Sequence, residues 1–142
     1  MMLAGSFRDE GEFSARRRVV CFAMLLGLAG CATTDSLQPG TGGSSFEVRG
    51  KTYDEIYRAA IRVVRSNLTI VESSKETGTI KAESRAGMST WGEVVGVFIR
   101  PATPGAAAYT VEVQSLKRSQ MQLTGQDWKA SVIAGIKAEL DM

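Results

Sequence analysis

The 142-residue chain has no histidine, two cysteines, three prolines and only 7% aromatic residues. Without histidine it lacks the commonest general base and the commonest metal ligand. Its acids are scattered singly along the chain, so a metal site of clustered carboxylates has no support. No catalytic residue, metal ligand or cofactor is expected, and the chain reads as a non-enzyme. Two cysteines, Cys21 and Cys31, cannot build a disulfide framework. An excess of one charge is missing too. The 17 basic residues face 15 acidic ones, which creates no general field to attract nucleic acid. Nor is there a long apolar run at the start of the chain. Val19 to Ala29 spans 11 residues, against about 20 needed to cross a bilayer as a helix.

What stands in place of a membrane span is a leader. Arg16, Arg17 and Arg18 precede the apolar run, and the small residues Ala29 and Gly30 close it, the layout of a secretory signal peptide over residues 1–30. The ending Leu28-Ala29-Gly30-Cys31 resembles the lipobox of bacterial lipoproteins. That resemblance implies acylation of Cys31 through its thiol, cleavage before it, and acylation of the new amino end. The chain would then meet a membrane through its N-terminal lipid. Ala32, where lipoproteins held in the inner membrane often carry Asp, favours the outer membrane and a periplasmic location.

Beyond Cys31 the composition changes twice. Ala32 to Ser45 reads ATTDSLQPGTGGSS, with Leu37 its one large apolar residue. So polar a stretch is expected to be a flexible tether over residues 31–45, since little in it offsets the entropy of ordering. Residues 46–142 are enough for one domain with a core, and not for two.

The domain opens with a short alternating strand, Phe46 to Arg49. Thr52-Tyr53-Asp54-Glu55 then has capping-box spacing, which starts a helix running to about Ser66. Its apolar stripe is Tyr53, Tyr57, Ala60, Ile61 and Val64, with Ile56 beside them; Asp54 and Arg58 form an i, i+4 pair. Leu68–Ser73 and Thr79–Glu83 read as a hairpin turning at Gly78. Glu72 and Glu83 could approach across it, but solvent-facing strand charges explain both. Glu93–Arg100 is apolar on both faces, which suits a covered strand. Ala106–Leu116 alternates, and Met121 and Leu123 are expected to continue it. Thr124 to Asp127 opens a last helix with the stripe Trp128, Val132, Ile133, Ile136 and Leu140. These elements predict an α+β, two-layer sandwich: an antiparallel sheet of four to five strands with two helices on one face.

The segments Thr52 to Ala60, Leu68-Thr69-Ile70 and Glu76 to Ile80 are similar to small periplasmic lipoproteins. They also resemble the helix-grip repeats of component C of the outer-membrane β-barrel assembly machine. The resemblance implies a helix-grip-like fold and an envelope compartment, and carries over no catalytic residue. Two function classes follow. One is a lipid-anchored, non-enzymatic adaptor or structural component of the cell envelope, with an envelope protein complex as partner. The other is a carrier of a lipid or small apolar ligand in a cavity between helix and sheet.

Two stretches are candidates for partner contact. Arg58, Arg62 and Arg65 line one face of the first helix; they are either a solvated face or a contact for acidic groups. Met88 and Trp91 lie on a loop with glycines, either folded over the sheet edge or exposed as apolar anchors. The loop is the stronger candidate, because apolar anchors supply contact energy where exposed arginines mostly steer.

Overall fold

A computed structural model describes residues 31–87, 91–119 and 121–142. Its centre is a five-stranded antiparallel sheet in the order β1-β5-β4-β3-β2. The strands are β1 (Ser44–Arg49), β2 (Thr69–Ser74), β3 (Thr79–Glu83), β4 (Glu93–Pro101) and β5 (Ala108–Lys117). Helix α1 (Tyr53–Asn67) crosses from one sheet edge to the other, and α2 (Trp128–Glu139) follows the last strand. This is the expected α+β sandwich, with both helices on one sheet face.

Helix α1 begins where its capping box is written. The Thr52 side chain accepts from the Glu55 amide, and the Glu55 carboxylate takes the Thr52 N–H at 2.7 Å. The helix buries Ile56, Ala59, Ala60 and Val64 completely. Against them lie Val48, Ile80, Ala82, Val95, Val97, Ile99, Val111 and Val113 from the sheet, and Val132 and Ile136 from α2. Burying an aliphatic side chain contributes about 1.5–3 kcal/mol each, so this layer is the main source of stability. Gly78 closes the β2–β3 turn at φ +67°, and a Cβ there would fall 2.1 Å from the Ile99 carbonyl oxygen. At the same end, Tyr53 packs against Tyr57 and Tyr109, with ring centroids 6.1 and 5.7 Å away.

Several local expectations are corrected. The last helix is capped by Asp127, whose carboxylate accepts from the Lys129 amide at 3.0 Å, and not by Thr124. Asp54 pairs with Lys75 at 2.9 Å, across from the hairpin turn, and not with Arg58. Met121 and Leu123 do not prolong β5, which ends at Lys117. The buried Gln122 side chain between them donates to the Glu93 carboxylate at 2.9 Å, which fixes that segment as an irregular return. Glu72 and Glu83, read from the sequence as ordinary strand charges, take separate cations: Glu72 pairs with Lys81 at 3.2 Å, and Glu83 pairs with Arg118.

The largest departure concerns residues 31–45. In place of a free tether, residues 31–43 lie across the sheet face opposite the helices, and Ser44 and Ser45 already belong to β1. A single 3-10 turn (Thr34–Ser36) leads to Leu37, which is fully buried against Val94 and Phe98, with Ala32 and Leu116 alongside. Gly96 makes room for this: a Cβ there would lie 2.9 Å from the Phe98 ring and 3.4 Å from the Leu37 Cβ. The physical reason is on β4. Its even-numbered residues, Val94 and Phe98, would be bare without a cover, and one leucine on a polar strap is enough to supply it. Replacing Leu37 with Ala should lower the unfolding free energy by about 2–5 kcal/mol, as for other buried leucines. Chemical denaturation measures this; a free tether would give no change.

Candidate functional site

The expected acylation site, Cys31, is exposed, and its position is fixed by its neighbour. The Ala32 N–H donates to the Arg118 carbonyl at 3.1 Å, and the Arg118 N–H donates to the Gly92 carbonyl at 3.3 Å. Next to Gly92 is Trp91, 72% exposed, whose backbone N–H donates to the Gln122 side-chain oxygen at 3.3 Å. Gln122 is flanked by Met121 and Leu123, 89% and 96% exposed. One short ladder of hydrogen bonds thus gathers Cys31, Trp91, Met121 and Leu123 at the end of the sheet where β4 begins and β5 finishes. Met88, the other loop anchor expected from sequence, lies outside the described residues.

Cations stand at the same end. Arg85 is exposed and packs by its backbone beside Gly92. Lys117 is exposed, with its ammonium 3.5 Å from the Gln122 carbonyl oxygen. Arg65 and Arg85 border one open hollow of about 470 Å³, together with Asn67, Glu83 and Trp128.

The arginine row of α1 is split by the fold. Arg62 pairs with Glu139 of α2 at 2.7 Å, and Arg65 faces the end just described. Arg58, with Arg62, Tyr57, Ile61 and Lys75, borders a separate hollow of about 350 Å³ toward the hairpin turn. Arg58 and Arg65 stand seven residues, about 10 Å of helix rise, apart and border different hollows, so the three arginines do not line one pocket.

Sequence reasoning missed Met121 and Leu123 as surface residues because their alternation around Gln122 imitates a strand. The available signal was their setting, between Ser119-Gln120 and Thr124-Gly125, which favours a loop.

The strap is held by a charged clamp on β5. The Glu112 carboxylate accepts from the Gly40 N–H at 3.0 and 2.8 Å, from the Gln114 amide at 2.8 Å, and from Arg100 at 2.9 Å. Gln114 also donates to the Gln38 carbonyl. Burial alone pushes the Glu112 carboxyl up, but the hydrogen bonds from Gln114, Gly40 and Gly43 and the Arg100 charge outweigh it. Its pKa therefore lies below the ordinary 4.5. A carboxyl lowered by folding contributes stability that is complete above its unfolded value and is lost as pH falls through its folded one. The strap should accordingly loosen in acid, below about pH 4.5. Glu112→Gln should unfold more easily at neutral pH and lose less than the parent on acidification. Thermal melts across pH check this, and parallel pH profiles would contradict it.

No family model matches the chain, and no curated protein matches it. Among solved structures, it is similar to the adenylate sensor of AMP-activated protein kinase in complex with 5-aminoimidazole-4-carboxamide ribofuranotide. The TM-score is 0.45 at 13% identity, over 64% of this chain and 93% of that one. A likeness at that level carries no functional argument. No helix among the described residues is long and apolar enough to cross a membrane.

Proposed function

We propose that the chain is a lipoprotein of the cell envelope, anchored to the outer membrane by lipid on Cys31, facing the periplasm and acting as a non-enzymatic adaptor. The observation that carries this reading is the sequence Leu28-Ala29-Gly30-Cys31 behind three arginines and an 11-residue apolar run. The exposure of Cys31 at the start of the domain agrees with it.

The packing supports an adaptor over a carrier. A carrier would hold its cargo between helix and sheet. There, Val48, Ile56, Ala60, Val64, Val97 and Val113 are fully buried within one side-chain cluster. The hollows bordered by Arg58 and Arg65 open at the surface instead. For the partner we favour the hollow of Tyr57, Arg58, Ile61, Arg62 and Lys75, which combines an apolar floor with a cationic rim. Such a surface suits an acidic protein segment with one or two apolar anchors. The loop of Trp91 is the weaker choice for that role, because it stands at the end from which Cys31 emerges.

Two measurements test the reading. Cys31→Ala should give an uncut precursor that takes up no radioactive palmitate, and equal label in variant and parent would sink the lipoprotein assignment. Arg58→Glu should weaken partner capture from solubilised envelopes while Trp91→Ala preserves it, both folded by circular dichroism. The reverse pattern would move the partner to the loop.

A further inference from the structure

We infer that the end of the domain carrying Trp91, Met121 and Leu123 is a bilayer-docking surface, seated in the lipid interface when the protein is anchored through Cys31. The inference rests on the lipoprotein reading for its anchor and on the fold for its orientation.

Three observations lead to a membrane as the occupant. First, the anchor has no slack. The Ala32 N–H is bonded to Arg118, and Leu37 is buried beyond it, so an acyl group on Cys31 leaves the protein one residue from the domain surface. A free 14-residue tether would have an r.m.s. reach of roughly 20 Å and leave the facing open; here the fold sets it. Second, the side chains around that exit are those an interface takes. Trp91, Met121 and Leu123 are three of the large apolar residues that the domain leaves exposed, and all three stand within the hydrogen-bond ladder that holds Ala32. Tryptophan favours the headgroup level, where its ring is buried and its N–H stays wet. Third, the charge is of the right sign. Arg85 and Lys117 are exposed at this end with no ion pair among the described residues, and exposed cations are drawn to an anionic bilayer. Of the nearby acids, Glu83 pairs with Arg118 and Asp127 with Lys129, Glu93 is buried and bonded to Gln122 and Ser84, and Asp35 of the strap turn stays exposed.

The geometry of the rest follows. With this end on the lipid, β4 stands away from the membrane, and the hollow of Arg58 and Lys75, toward the β2–β3 turn, lies farther from it, where an envelope partner can reach it.

The test uses the full chain purified from membranes, with Trp128→Phe so that Trp91 is the sole tryptophan. The protein is placed in phosphatidylethanolamine–phosphatidylglycerol vesicles whose acyl chains are brominated or plain. Bromine should quench Trp91 and its emission should shift to the blue; Leu123→Ser and Arg85→Glu should each reduce the quenching, and Arg58→Glu should leave it unchanged. Vesicle-bound protein with equal Trp91 emission in both lipids would overturn the proposal. Trp91 unquenched by lipid but shielded on adding solubilised envelope proteins would also overturn it, in favour of a protein contact. Mass spectrometry of Cys31 reads the anchor separately. If Cys31 carries no acyl group, the lipoprotein reading fails by itself; coupling a maleimide phospholipid to Cys31 in a Cys21→Ser chain then supplies the anchor, and the same quenching result decides the docking surface.

Discussion

Strand β4 carries apolar side chains on both faces, and burying both of them favours the fold. Val95, Val97 and Ile99 are covered by the helices, Val94 and Phe98 by the strap with Leu37. The first cover is large and resembles any helix-on-sheet layer. The second depends on one leucine, on the missing side chain of Gly96, and on the carboxylate of Glu112, which gathers the backbone around Gly40. The position of the N-terminal segment therefore follows from the needs of the sheet.

That dependence changes what an anchor at Cys31 would mean. A lipid on a flexible tether gives proximity without orientation. A lipid on a strap stapled to the sheet gives both, because Ala32 is bonded to the same strand end that holds Trp91 and the segment of Met121 and Leu123. The partner-facing surface we propose then lies on α1 toward the β2–β3 turn, farther from the membrane than the end carrying Trp91. Acid would act on this mounting through Glu112, whose lowered pKa ties strap closure to its charged form.

The fold was legible in the sequence wherever periodicity and local chemistry agreed. The capping box at Thr52, the hairpin glycine Gly78 and the doubly apolar run of β4 each specify their element through neighbouring residues. What escaped depends on distant ones. Leu37 sits in a stretch whose composition is that of a linker, and its burial is decided by Gly96 and Phe98, about sixty residues away. Asp54 found Lys75 through the tertiary placement of the hairpin turn, over the local i, i+4 partner Arg58. Of the candidate contacts, Trp91 was visible as an apolar residue on a glycine-flanked loop. Its companions Met121 and Leu123 were hidden by a strand-like alternation that the buried Gln122 interrupts.

The measurement that bears most directly on this account is backbone amide exchange in the folded protein. Ala32 donates to Arg118, and Gly40 donates to both oxygens of Glu112. If the strap closes the sheet, both amides should exchange far more slowly than unstructured chain, and Leu37→Ala should release them together while the amides of β4 remain protected. Exchange of Ala32 and Gly40 at the rate of free coil in the parent protein would mean that the segment is a loose tether after all. The fixed mounting of the domain would fall with it.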